Sequence, residues 1–216
     1  DPGSGLYAFR PDVVLMLLNH RDLSLGPANG QEQGHAFASD LVMLWERLQS
    51  THPCHIIQTG LDVPALGSWG MLEDALEGGR TRTLRAVNEE LVAALKPGIS
   101  WLAMDTLVGH TGMPPFGAAE WHASRQYPTS AVLPFFSEAV VAHLRSVLGL
   151  SSKVLVLDLD NTLWGGVVGE DGLAALKIGA PSPEGEAFVE IQRYAKEVQR
   201  RGVLLAVCSK NNAADA

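Results

Sequence analysis

The residues best suited to chemistry follow a run of four aliphatics. Val154-Leu155-Val156-Leu157 leads into Asp158-Leu159-Asp160-Asn161-Thr162-Leu163-Trp164-Gly165-Gly166. A short apolar run of this kind reads as a strand buried on both faces. In open parallel sheets, ligands bind beyond the carboxyl ends of the strands, and that is where these two carboxylates are delivered. Side chains two apart share one side of an extended chain, so Asp158 and Asp160 are expected together. Two acids held close need a cation or a shared proton, because like charges raise one pKa. Such a pair suits a division of labour. One carboxylate stays ionised and attacks, and the other carries a proton for a leaving group. Hard oxygen ligands suit Mg²⁺. A calcium loop would need Gly at its sixth position and Glu at its twelfth. Counted from Asp158 these positions hold Leu163 and Gly169, and a strand rather than a helix precedes. A lone D-x-D can equally cap a strand or open a helix. The whole pattern, from the aliphatic run to Trp-Gly-Gly, argues against that bland role.

The elements that must position these acids belong to a chain of 216 residues, 46% apolar and 19% charged, with a net charge of −8. This composition is globular rather than disordered. The acidic balance argues against a nucleic-acid binder or an anionic-membrane binder, either of which needs a basic face. The longest aliphatic run, Val13 to Leu18, is far short of the roughly 20 residues that span a bilayer, and no signal-peptide pattern is expected. Cys54 and Cys208 lie far apart, which fits free thiols in a reducing, cytoplasmic setting.

Strands are expected at 13–18, 54–59, 99–104, 153–158 and 203–208. Helices are expected at 35–49, 81–96, 135–148 and 185–201, from apolar residues at spacings of three and four. Residues 60–70 and 105–133 read as irregular, on their glycines, prolines and lack of period. Alternating strands and helices predict an α/β fold, with parallel sheets and helices on both faces. Ser151-Ser152-Lys153 follows a helix and Gly149, which puts a domain boundary near 150 and gives domains 1–150 and 151–216. The first residue is not Met, and the sequence stops shortly after a strand, so a piece of a longer chain is expected.

VLVLDLDNTLWGGVVGEDG resembles the first motif of the haloacid dehalogenase (HAD) superfamily of phosphotransferases. With LAVCSKNN near the end, the match resembles the FkbH-like family, strongly over 153–212 and weakly over 1–150. That resemblance implies an SGNH/GDSL-hydrolase-like, flavodoxin-type three-layer domain, degenerate and lacking its first strand. An incomplete HAD-like Rossmannoid domain would follow it. It implies Asp158 as the nucleophile that forms an aspartyl-phosphate. Asp160 would be the acid/base, and Thr162 would orient both. Mg²⁺ would sit on the Asp158 carboxylate and the Asp160 main-chain carbonyl. Ser209 would hold the phosphoryl group beside Lys210. Trp164, Gly165 and Gly166 would form a flap closing over the site. The third and fourth HAD motifs, a Lys and one or two acids, are not seen in the sequence, and Lys210 is too close to Ser209 to be assumed to replace that Lys. Little or no turnover is therefore expected of these 216 residues alone.

The same resemblance implies a substrate and a partner. The substrate is a bisphosphorylated three-carbon acid, and the partner is an acyl carrier protein in polyketide-type biosynthesis. A thiolate would take the glyceryl unit from the acyl phosphate, and Cys208, beside Lys210, is the candidate. One geometric objection is that Cys208 and Ser209 point to opposite faces of a regular strand. The alternatives are a HAD phosphatase acting on a free small phosphate, with Cys208 as filler, and a non-catalytic docking module.

In the front domain, Asn19-His20-Arg21-Asp22 stands where SGNH enzymes carry Gly-x-Asn-Asp. Glu120-Trp121-His122 offers a His without its Asp. A triad lacking its acid and oxyanion donor is not poised, so this domain is expected to dock a partner or to shape the site. His52, Cys54 and His55 are three of the four ligands that zinc needs, strained across Pro53. Arg80, Arg82 and Arg85 could meet an acidic carrier, but a solvated helix start explains them equally.

Overall fold

The computed structural model describes residues 3–25, 30–64 and 68–211. It divides into two compact units, Asp1–Gly149 and Leu150–Ala216.

The first unit runs α1 (Gly5–Phe9), β1 (Val13–Met16), α2 (Gly30–Thr51), β2 (His55–Thr59), a 3₁₀ turn (Gly70–Asp74), α3 (Arg80–Ala93) and β3 (Ile99–Leu102). It continues with α4 (Met104–Thr111), α5 (Ala118–Ser124) and α6 (Leu133–Val147). The three strands are parallel in the order β1-β2-β3, with Val14 opposite Ile56 and Ile56 opposite Ile99. Alternation along β2 builds the layers. Ile56 packs with Leu41, Trp45, Leu48, Leu84, Val87 and Leu91 of α2 and α3. Its neighbour Ile57 packs with Leu107 and Phe136 of α4 and α6. Successive strand residues point to opposite faces, so helices cover both sides of the sheet. Each fully buried aliphatic contributes roughly 1.5–3 kcal/mol. Trp45 is 1% exposed and needs a partner for its indole N–H, which donates to Gln58 Oε1 at 2.9 Å.

The second unit runs β4 (Val154–Leu157), α7 (Val168–Asp171), a 3₁₀ turn (Leu173–Ala175), α8 (Pro183–Arg200) and β5 (Leu204–Val207). β4 and β5 pair in parallel, with Val154 opposite Leu204 and Leu157 opposite Val207. α8 starts where the sequence permits. Pro183 occupies the first turn, and Ser182 Oγ accepts from the Gly185 N–H at 3.2 Å, a standard N-cap.

Strand and helix positions agree with the sequence to within a few residues, except over 105–133. That stretch is not irregular: it contains α4 and α5. α4 begins one residue after β3 ends, too abruptly for a periodicity window to separate them. Left-handed Gly112 closes α4. Helix α2 also starts five residues earlier than its apolar period, over the polar Gly30-Gln31-Glu32-Gln33-Gly34. The expected loop 60–70 falls partly outside the described residues.

Candidate active site at the end of β4

Asp158 is the first residue after β4. It is exposed, and its Oδ1 accepts the Leu159 backbone N–H at 2.8 Å. One carboxylate oxygen is thus oriented, and the group faces solvent. The Cys208 N–H donates to the Leu157 carbonyl at 2.9 Å, the bond that closes the Leu157–Val207 pair at the end of the β4–β5 ladder. The Leu159 N–H turns to the Asp158 side chain instead of continuing the ladder. Partners in a parallel ladder share a face. One face carries Val154, Val156 and Leu204, which are 48%, 58% and 67% exposed. Asp158 and Cys208 are the first residues beyond the paired ends of β4 and β5, and both are exposed.

After Asp158 the chain leaves the extended path. Leu159 is buried, and its carbonyl accepts the N–H groups of Thr162 at 3.1 Å and Leu163 at 2.9 Å. Asn161 adopts a left-handed φ of 55°. Asp160 stands at the start of this turn, where its carboxylate is fastened. Its Oδ1 accepts the Trp164 indole N–H at 3.0 Å and the Val168 backbone N–H at 3.2 Å. Burial alone would raise the Asp160 carboxyl. The Asn211 side chain, the Val168 amide and the Trp164 indole outweigh burial and hold the carboxyl below its ordinary value. The Asn211 side-chain nitrogen is buried without a hydrogen bond of full geometry, so it acts on Asp160 as a nearby dipole. These donors all favour the ionised form.

The Trp-Gly-Gly segment is fastened down. Gly165 and Lys177 exchange backbone hydrogen bonds at 3.1 and 2.8 Å. A Cβ on Gly165 would meet the Phe188 ring at 2.9 Å, so the close approach to α8 requires glycine. Gly166 has a φ of +105° and donates to Asn161 Oδ1 at 3.0 Å. Gln192 on α8 donates to the Leu163 carbonyl at 2.6 Å. Asp171 Oδ2 accepts the Val167 N–H at 2.9 Å. The roles of Asn161, Asp171 and Gln192 were missed in the sequence. Only Asn161, a residue tolerant of left-handed backbone beside two glycines, carried a readable signal.

Ser209 is half-buried, and its Oγ accepts the Asn211 N–H at 3.2 Å. β5 ends at Val207, so strand alternation does not force Ser209 and Cys208 to opposite faces. Lys210 is exposed, and Thr162 is half-buried in the turn. Among the described residues, no cluster of three or more His, Cys, Asp and Glu is placed to hold a metal. Mg²⁺ does not need one, since it keeps several waters and binds through one or two carboxylates plus substrate phosphate. The solvent-facing Asp158 carboxylate fits that pattern.

In the first unit, polar groups gather at the carboxyl ends of β1 and β2. Asp62, 3% exposed, accepts the His20 N–H on Oδ1 and faces His20 Nδ1 with Oδ2, both at 2.8 Å. Arg80 donates to the His20 carbonyl at 2.8 Å, and Phe116 stands edge-on to the His20 ring at 4.5 Å. Tyr127 has a buried hydroxyl without a hydrogen bond of full geometry. Burial first, then the charge and acceptor oxygen of Asp62 and the charge of Asp22, push its pKa up. His122 is exposed on α5. The histidine in this cluster is His20, and its partner lies 42 residues away, beyond any local motif. His52 faces the Pro11 carbonyl and His55 faces Ser100, so they turn to separate partners. Arg85 pairs with Asp74 at 2.7 Å.

The sequence matches no protein-family model and no curated protein. It does match a solved structure. All of this chain superposes on 58% of the N-terminal part of a Bacteroides fragilis protein that contains a phosphatase domain, crystallised in complex with Mg, at 27% identity and a TM-score of 0.84. The chain shares the α/β fold of that structure, with parallel sheets and the same order of elements over its whole length. The D-x-D turn at the end of β4 is the part of the chain whose chemistry suits such a fold. Among the described residues, no helix is long and apolar enough to cross a membrane.

Proposed function

We propose that the second unit carries a Mg²⁺-dependent phosphoryl-transfer site built on Asp158 and Asp160. The observation that carries this reading is the contrast between the two carboxylates. Asp158 is exposed and free to attack, whereas Asp160 is gripped through one oxygen by two N–H donors. The Bacteroides neighbour, with its phosphatase domain and Mg, supports it.

In the proposed reaction an Asp158 oxygen attacks phosphorus, and the bond from phosphorus to the leaving oxygen breaks. The approaching phosphoryl anion offsets the donors that favour ionised Asp160 and lets its carboxyl carry a proton, which the leaving oxygen takes. Water then attacks the aspartyl phosphate and gives its proton to Asp160, releasing phosphate and restoring Asp158. The Asp158 carboxylate and the Asp160 carbonyl would hold Mg²⁺, which would supply neutralising charge to the phosphoryl oxygens.

The finer reading is glyceryl loading. Cys208 and Asp158 are both exposed directly after the adjoining ends of β5 and β4, which supports a thiol acting at the same substrate. Its sulfur attacks the acyl carbon of a bisphosphorylated three-carbon acid, expelling phosphate and forming a thioester. The phosphopantetheine thiol of an acyl carrier protein then takes the acyl group, and the Cys208 thiolate leaves. Asp158 removes the remaining phosphate ester. Under this reading the protein is cytoplasmic and of the FkbH-like type. The three-layer first unit, with its polar cluster at the strand carboxyl ends, supports an SGNH-like scaffold that shapes the site or docks the carrier.

Intact-mass analysis after incubation with the bisphosphorylated acid tests the loading step. A glyceryl adduct lost in Cys208→Ala and transferable to a carrier protein is expected. An adduct that survives the substitution removes Cys208. A phosphoryl adduct alone leaves phosphatase action on a free small phosphate, and no adduct of either kind leaves a docking module.

A further inference from the structure

We propose that Trp164 is a positioning residue for Asp160: its indole N–H, together with the Val168 N–H, fixes one carboxylate oxygen so that only the other is presented to the reacting phosphoryl oxygen. The proposal rests on the phosphoryl-transfer reading above and assigns a role that the D-x-D motif alone does not contain.

The argument is geometric. Both donors converge on the same atom, Asp160 Oδ1, at 3.0 Å from the indole and 3.2 Å from the amide. A carboxylate with both donors on one oxygen is locked in rotation about its Cβ–Cγ bond. Neither donor engages Oδ2, and the Asn211 amide, which also acts on this carboxylate, makes no hydrogen bond of full geometry to it. The two donors flank the Gly165-Gly166 pair, one before it and one after. Asp160 is thus the pin that closes this loop onto the strand end, and Asp160 and Trp164 also meet through their backbones.

The indole itself is held from behind. Gln192 grips the Leu163 carbonyl immediately before Trp164, and Gly165 immediately after it is bridged to Lys177. With backbone anchors on either side, the indole has little freedom to follow Asp160. The acid must follow the indole. A side chain that only filled space would not need its N–H aimed at a carboxylate. A phenylalanine would fill much of the same volume and leave Oδ1 with one donor, free to swing. Misplacement of a reacting group by about 1 Å costs on the order of 100-fold in rate.

The test has a binding arm, a rate arm and a spectroscopic arm. In the ¹⁵N–¹H spectrum the Trp164 indole resonance is identified as the one missing in Trp164→Phe. It is expected to move strongly upfield in Asp160→Asn, where a charged acceptor is lost, and little in Asp158→Asn. Beryllium fluoride with Mg²⁺, a phosphoryl mimic, is expected to bind Trp164→Phe as it binds the unaltered chain. In a longer chain that also supplies the third and fourth HAD motifs, phosphoryl turnover from acetyl phosphate is expected to fall roughly 10- to 100-fold in Trp164→Phe and to recover partly in Trp164→His, whose ring N–H can still donate.

An indole resonance indifferent to Asp160→Asn overturns the proposal. So does Trp164→Phe with an unaltered rate, or with mimic binding and rate lost together, which would mark a merely structural role. If the unaltered chain itself captures no phosphoryl mimic while the indole still responds to Asp160→Asn, the phosphoryl-transfer reading has failed. The clamp then exists without a reaction to serve, and the positioning role falls with it.

Discussion

Removing the carboxylate of Asp62 should unfold the first unit far more readily than its position in a loop suggests. Asp62 is 3% exposed, and both of its oxygens are committed to His20 at 2.8 Å. In Asp62→Ala the His20 N–H and Nδ1 lose their partner inside the protein, where the His20 side chain is only 9% exposed. Each orphaned buried group costs about 1–3 kcal/mol. The sum agrees with the roughly 3–5 kcal/mol lost when one partner of a buried pair is removed. Water cannot easily repair the damage, because Phe116 stacks against the His20 ring and Arg80 holds its carbonyl. Urea unfolding followed by tryptophan emission reads the loss, with Trp45 in the core of this unit as the reporter. A loss of about 4 kcal/mol, with a slope of about 2 kcal/mol per molar urea, moves the midpoint down by about 2 M. Asp62→Asn, which keeps one acceptor for the His20 N–H, should move it by less. It should also let the Tyr127 pKa fall part of the way, since burial, the larger cause, remains. A midpoint shift below about 0.5 M in Asp62→Ala would refute the claim that this pair organises the strand ends.

Other perturbations have equally definite outcomes. Gly166→Ala forces a side chain into a φ of +105°, with its Cβ 3.1 Å from Asp171 Oδ2. It should cost about 1–3 kcal/mol and raise amide exchange at Val167 and Val168, whereas Gly169→Ala, where a Cβ meets nothing within 4 Å, should not. The two cysteines should alkylate at different rates: burial pushes the Cys54 thiol up, while Cys208 is exposed. Peptide mapping after brief iodoacetamide treatment should find Cys208 modified first, and equal modification would contradict its exposed placement. The His55 imidazole is lowered first by burial and then by the nearby charge of His143. The unfolded chain therefore binds that proton at a higher pH than the folded one, and stability falls as pH drops through the ordinary histidine range. The urea midpoint should decline from pH 7 to pH 5.5 less steeply in His55→Gln, and an unchanged slope would remove His55 as a cause.

The sequence carried the layout because its strands are short apolar runs and its helices are periodic. Helices α4 and α5 escaped it because the glycines and prolines around residues 109–117 hide helices of eight and seven residues. The two acids were legible from spacing alone, but their arrangement was not. The groups that hold Asp160 come from Trp164 and Val168, four and eight residues on, across a turn at Asn161 that the spacing of the acids does not encode. Cys208 followed a different course. The objection that it opposes Ser209 requires a regular strand, and β5 ends at Val207, one residue before Cys208. The pairing of His20 with Asp62 depends on two strands meeting in space, which no local pattern encodes.

The central claim is that Asp158 is the residue that takes a phosphoryl group. Titrating the chain with beryllium fluoride and Mg²⁺ and recording ¹⁹F spectra tests it directly, because the mimic completes its coordination on a carboxylate oxygen. Bound fluorine resonances that require Mg²⁺, persist in Cys208→Ala and vanish in Asp158→Asn are predicted. Bound resonances that survive Asp158→Asn, or none in the unaltered chain, would contradict the account.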